Sequence, residues 1–224
     1  SNIHYRHWRK YAFYIFIITL IASASVFIPG FGLTHAGATR WIDLGFTTIQ
    51  PSEFLKIGFV IYLATWFSGV HKKIHNWRYG LLPFMGVVGV TAVVMLLQPD
   101  TDTFLIMVFS GLAMFVVAGA RWRDIGLILL TGLILVSLLA FMRPYVMERI
   151  TTFMNPEADP LGSGYQIQQS LIAVGSGGIA GRGFGQSIQK FEYLPEPIGD
   201  SIFAVYAEEF GFIGAVLLIL TLVF

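Results

Sequence analysis

Apolar residues gather along this chain into six runs: Tyr11–Pro29, Phe54–Gly69, Leu81–Leu97, Phe104–Ala120, Ile125–Met142 and Ser201–Phe224. Each approaches the roughly 20 residues that an α-helix needs to cross a bilayer. The second is short, and it reaches that length only if Pro51–Glu53 form its first turn and Lys56 lies inside it. Proline suits such a first turn. A soluble all-helical core made of six such runs would have almost no polar surface. The pattern therefore predicts an all-α fold, a polytopic transmembrane helix bundle with six passes. Residues 1–224 are read as one membrane domain, and the 58-residue stretch Arg143–Asp200 between passes five and six as its large loop. Loops of that length are uncommon and usually functional. Ile167, Leu171, Ile172 and Val174 are spaced to share one face of a short helix, lying on or dipping into the outer leaflet. Gly175, Gly177, Gly178, Gly181, Gly183 and Gly185 then predict a turn region rich in exposed backbone. No internal repeat is visible.

Composition supports the membrane reading. Hydrophobic residues make up 55% of the chain and charged residues 12%, against about 25% charged in an average soluble domain; the mean hydropathy is +0.71. The net charge of +1 says little, but its distribution orients the chain. Arg6, Arg9 and Lys10, then Lys72, Lys73 and Arg78, then Arg121 and Arg123 fall on one side. Arg40 is almost alone on the other, with Asp43, Asp100 and Asp102. Basic connectors mark the cytoplasmic face, so the Arg143–Asp200 loop is expected outside. No nucleic-acid partner is expected. With no cysteine, disulfides and thiolate metal sites drop out. No signal peptide is visible, and Leu217–Phe224 stops inside an apolar run, so the chain reads as a piece of a longer protein.

Several polar constellations interrupt the apolar runs. Asp200 ends the glycine-rich loop at the lip of the last pass, where an acid faces both a lipid-borne substrate and water. Glu53 and Lys56, three apart on the second pass, share a helix face and can pair toward the bundle interior, either locking the helix or lining a substrate cavity. Each alone would cost about 2.5–3.5 kcal/mol at the bilayer centre. Arg40 offers a planar fork suited to phosphate or carboxylate, beside Trp41, which suits the interfacial aromatic belt. Asp100 follows Pro99 and competes with Asp102 to cap the fourth pass. Gly175–Ala180 fits a loose dinucleotide pattern but lacks a preceding strand. His71 and His75 have zinc-pair spacing, yet sit in a basic turn without a nearby acid.

Taken in order, Gly37–Trp41, Gln50–Lys56, Gln98–Asp100, Gly164–Gln166, Gln169-Ser170, Gly175–Gly178, Gly183–Gly185, Tyr193–Glu196, Asp200–Val205 and Glu208–Gly211 resemble the SEDS family of FtsW and RodA over nearly the whole chain. The resemblance implies a ten-pass protein, of which this chain is about the third to the eighth pass. It implies a peptidoglycan glycosyltransferase that polymerises lipid II beside a class B penicillin-binding transpeptidase and other division or elongation proteins. Asp200 matches the proposed catalytic aspartate. Gln50, Gln166, Gln169, Ser170 and Glu196 join Arg40, Glu53, Lys56 and Asp100 as candidate substrate-binding residues. Many relatives have His-Thr before that aspartate; this chain has Ile198-Gly199, so an assisting histidine is absent. The Glu-Pro-Ile-Gly-Asp-Ser wording is closer to FtsW, the division member, than to RodA.

Residue chemistry fits that implication. Glycosyl transfer from a polyprenyl diphosphate needs the acceptor hydroxyl to lose a proton, and one carboxylate serves as general base. Glycoside hydrolases need a second carboxyl for the leaving oxygen; a diphosphate leaves without one if cations stabilise it. Arg40, Lys56 or a divalent ion (Mg or Mn) can do so, with Glu53 orienting Lys56. The rival readings are a flippase for the lipid-linked precursor and a scaffold. Transporters tend to show inverted repeats and helices broken at mid-membrane.

Overall fold

The computed structural model describes residues 4–35, 38–43, 45, 47–142, 144–158, 162, 164–195 and 197–224. They form two units, Ser1–Leu133 and Ile134–Phe224.

The first unit holds α1 (Tyr5–Ala24), a small sheet, α2 (Pro51–Val70), α3 (Leu81–Leu97), α4 (Thr101–Val117) and the start of α5 (Trp122–Met142). Helix α2 begins at Pro51, the condition that lets the short second run span. Helix α3 keeps the bounds of its apolar run, because Gly80 and the Gln98-Pro99 step close it at both ends. Helix α1 starts six residues before its run, since helical hydrogen bonding continues through Arg6, Arg9 and Lys10 after the apolar residues stop. The core is aromatic. Phe84 and Phe115 stack with centroids 5.1 Å apart and planes 2° from parallel, and Phe67 lies 5.4 Å from Phe115. Such a stacked pair is worth about 0.5–1.5 kcal/mol beyond its buried area. Gly111 makes room for it: a Cβ there would lie 3.1 Å from both Leu63 and Phe84.

Between α1 and α2 the chain forms three antiparallel strands, β1 (Gly32–His35), β2 (Ala38–Asp43) and β3 (Thr48–Ile49), in the order β1-β2-β3. Helical periodicity does not foresee them. Leu33 pairs with Trp41 and Thr34 with Thr39, so Arg40 is the surplus residue of a β-bulge. A bulge re-aims the side chain it carries.

The second unit holds the end of α5, α6 (Pro144–Met154), α7 (Tyr165–Ser176), the single turn α8 (Gln189–Glu192) and α9 (Ile202–Val223). Helix α7 contains the predicted short helix of the loop and packs on α9, burying Ala173, Leu194, Ala204 and Val205 together. Helix α9 is broken at Gly211 (φ 66°, ψ −167°). In an unbroken helix the N–H groups of Phe212 and Ile213 would donate to the carbonyls of Glu208 and Glu209. Here the glycine loop takes all four groups. Phe212 donates to Gly178 (2.9 Å) and Ile213 to Ile179 (3.1 Å), while Glu208 accepts from Arg182 (3.0 Å) and Glu209 from Gly183 (2.9 Å). Two intrahelical bonds become four, so these four groups are re-paired in an apolar segment, where each left unpaired would cost several kcal/mol.

Tyr5–Phe27, Pro51–Lys73 and Ile202–Val223 are long and apolar enough to cross a membrane. Helix α5, with 21 residues, has the length as well. Helices α3 and α4 are apolar but have 17 residues each, about 26 Å at 1.5 Å per residue. The chain is a helical membrane protein.

Candidate functional site

In the first unit, polar side chains converge where the sheet meets the α3–α4 turn. Asp100 is 2% exposed and is the N-cap of α4, accepting from the Thr103 N–H at 3.4 Å. The Gln50 amide and the Ser52 hydroxyl each donate to its Oδ2 at 3.2 Å. The bulge sends Arg40 to the same turn. Its guanidinium lies 3.8 Å from Asp100 and donates to the carbonyls of Gln98 (3.4 Å) and Pro99. Gln98, buried, donates in turn to the Ser23 carbonyl at 2.6 Å. One network thus ties the ends of α1, α2, α3 and α4 to the sheet. Arg40, whose fork suits a phosphate or a carboxylate, faces the Asp100 carboxylate and two backbone carbonyls at this turn, because the bulge aims it there. Asp102 leaves the cap to Asp100.

Lys56 and Glu53 make the expected i,i+3 pair at 2.8 Å. Glu53 is 54% exposed and Lys56 28%, because Leu55, Gly58 and Phe59 take the buried stripe of α2.

In the second unit the residues around Asp200 are built on the broken helix. Its first half, Ile202–Phe210, is a rod of nine residues ending at the break, about 14 Å long. Ser201, buried, occupies the N-cap position and makes no side-chain cap bond. Instead its hydroxyl donates to the Pro195 carbonyl at 3.2 Å and accepts from Gln166 at 3.4 Å. That bond closes the Pro195–Ser201 turn, which leaves the Asp200 side chain exposed. Among the described residues, no hydrogen bond or ion pair engages its carboxylate, so Asp200 is not the cap of α9. Gln169 and Ser170 sit half-buried on α7 near Gln166. Glu196 lies outside the described residues.

The far end of the rod carries groups that sequence reasoning quoted but gave no role. Glu208 is fully buried. It accepts from the Ser187 hydroxyl (2.6 Å) and from the Ile188 and Gln189 N–H groups (3.1 and 3.3 Å), and it lies 3.4 Å from the Arg182 Nε. Glu209 pairs with Lys190 at 2.6 Å, and the same ammonium donates to the Gly185 carbonyl at 3.1 Å. Two adjacent acids inside an apolar run are the signal that could have flagged them. No cluster of three or more His, Asp or Glu able to hold a metal ion occurs among the described residues, so no residue set is assigned to a divalent ion.

The family model for FtsW, RodA and SpoVE, described as "Cell cycle protein", matches residues 1–224. The chain is 44% identical over 222 residues to stage V sporulation protein E of Bacillus subtilis, covering 98% of this chain and 60% of that protein. It is 41% identical over 218 residues to the probable peptidoglycan glycosyltransferase FtsW of Escherichia coli O6:H1, covering 97% and 52%. Among solved structures it is similar to a chain from work on the structural coordination of polymerization and crosslinking by a peptidoglycan synthase complex. The TM-score there is 0.70 at 26% identity, with 97% of this chain and 60% of that one covered. The rod shape determining protein RodA of Thermus thermophilus gives a TM-score of 0.57 at 25% identity, covering 96% and 53%. The chain thus spans 52–60% of the length of these relatives.

Proposed function

The chain belongs to the FtsW, RodA and SpoVE family, and from that premise we propose that the protein containing it is a peptidoglycan glycosyltransferase that polymerises lipid II at the outer face of the bacterial cytoplasmic membrane. The observation that carries the reading is the Asp200 carboxylate, exposed and without a partner among the described residues, at the tip of a short rod anchored at both ends. A base must be free to accept a proton, and a cap or an ion pair would compete for it. In this reading Asp200 takes the proton of the acceptor hydroxyl as that oxygen attacks the anomeric carbon, and the polyprenyl diphosphate leaves. General-base assistance of this kind contributes about 10²–10⁴-fold. Gln166 acts through Ser201 on the turn that holds Asp200. Lys56 shares one of its donors with Glu53 and is the better candidate for the diphosphate charge, since Arg40 is committed to the Gln98–Asp100 turn. The division and sporulation relatives, at 41–44% identity, support a role in septal or spore wall synthesis, with a class B penicillin-binding protein as partner.

The break in α9 is a feature that transporters also use, with freed backbone groups binding substrate or ions. Here those groups are paired to the glycine loop, which favours polymerase over flippase. The test is incubation of the full-length protein with labelled lipid II, with and without Mg²⁺, followed by gel analysis. Wild type is expected to form polymer. Asp200→Asn, which keeps the shape and loses the base, is expected to fold normally and form none. Polymer at the wild-type rate from Asp200→Asn would refute the assignment.

A further inference from the structure

We infer that Glu208, together with the Lys190–Glu209 pair, is a positioning element for Asp200, setting the angle of the rod at whose other end that carboxylate sits; the inference rests on the functional reading above. Asp200 and Glu208 lie at opposite ends of one stretch of α9, and Gly211 interrupts the helix just beyond the acids. The rest of α9 therefore does not hold the rod rigidly through continuous helical bonding. Besides the packing of α7, which brings Gly177 against Ala207, the base of the rod is held by the segment Arg182–Lys190. Glu208 gathers Ser187, Ile188, Gln189 and Arg182 onto one carboxylate, and Glu209 fixes Lys190. The chain then returns along the rod to Pro195, whose carbonyl Ser201 grips at the tip. Asp200 thus lies in a closed frame, tied at the base by charge-assisted bonds, which are roughly twice as strong as neutral ones, and at the tip by one hydroxyl.

The lever arm makes the base ties consequential. From Gly211 to Asp200 is about 16 Å of helix rise, so a tilt of about 4° moves the carboxylate by roughly 1 Å. A displacement of that size at a reacting group can cost about 10²-fold in rate. Loosening the base is then expected to lower turnover without weakening substrate binding, since neither acid needs to touch substrate.

The experiment uses the full-length protein in detergent with labelled lipid II, comparing wild type with Glu208→Gln, Lys190→Met and Lys190→Arg. Initial rates over a range of lipid II separate kcat from KM, and thermal unfolding reports the fold. Nitroxide labels at Phe184 and Ile198, both exposed, report the spread of distances between loop and tip. We expect Glu208→Gln and Lys190→Met to lower kcat at least tenfold with KM and Tm near wild type, and to broaden the label distances. Lys190→Arg should recover most of the rate lost in Lys190→Met. Unchanged kcat in both variants beside an active wild type would overturn positioning alone. Loss of rate that tracks loss of Tm, or unaltered label distances, would reduce the ties to ordinary fold stability and overturn it too. A wild type that makes no polymer would overturn the functional reading on which the inference rests.

Discussion

Replacing Gly181 with alanine tests the exchange of backbone partners at the α9 break more directly than any charge substitution. Gly181 has φ +81°, and a Cβ there would sit 2.1 Å from the Glu209 carbonyl oxygen and 2.6 Å from the Gly211 nitrogen. Both are backbone atoms, so no side chain can swing aside. Gly185 is the matched control. Its φ is +77°, and a Cβ there meets nothing within 4 Å. Both substitutions carry the left-handed penalty of about 1–2 kcal/mol. Only Gly181→Ala must also push loop and helix apart by about 1 Å, which strains the bonds from Arg182 to Glu208 and from Gly183 to Glu209. Two lost bonds at about 0.5–1.5 kcal/mol each give an extra cost of about 1–3 kcal/mol, more if a buried carbonyl stays unpaired. Hydrogen exchange at the amides of Arg182 and Gly183, measured on full-length protein in detergent, reads that difference. An extra 2 kcal/mol corresponds to about 30-fold faster exchange in Gly181→Ala than in Gly185→Ala. Equal exchange in the two variants would mean that the close approach carries no energetic weight, and the account of the break would fall.

The half-exposed Glu53–Lys56 pair should couple by only about 0.3–0.5 kcal/mol in a double-mutant stability cycle; a coupling above about 2 kcal/mol would show a buried pair. Arg40→Lys should cost about 1–2 kcal/mol in denaturant unfolding and speed proteolysis between β1 and β2, because one ammonium cannot replace a planar fork at two carbonyls and a carboxylate. Wild-type stability in that variant would show that the network is slack. Cysteines placed at Asn76 and Ser163 should be labelled by an impermeant reagent from opposite faces of the membrane. Labelling of both from outside would refute the orientation read from the basic connectors.

Helix positions were legible because crossing a bilayer demands a long apolar run, and nothing else in a chain this size supplies six. The ends were less so. Tyr5–Lys10 continue α1 because hydrogen bonding, and not hydropathy, sets where a helix stops. The strands around Arg40 depend on pairing across a turn, and a bulge leaves no mark in local composition. Asp200 stood out by its place at the end of an apolar run and by the motif around it. That it is free of a capping role, while Ser201 takes the N-cap position, needed the geometry of Pro195 and Gln166. The break at Gly211 was the least accessible, since a lone glycine in a helical run is usually tolerated. Its meaning comes from Gly178–Gly183, some 30 residues earlier.

Arg40's place as the surplus residue of β2 bears on which lengths of that strand the protein can accept. Deleting one neighbour, such as Thr39, would let β1 and β2 pair without interruption, adding regular ladder bonds and removing a kink. A shift of one residue also sends each following side chain to the opposite face. The shortened hairpin would be the better-ordered sheet, while its arginine would point away from the Gln98–Asp100 turn and leave the four helix ends untied. Single-residue deletions here should therefore be harmful out of proportion to their size, and two-residue deletions, which restore the facing, less so.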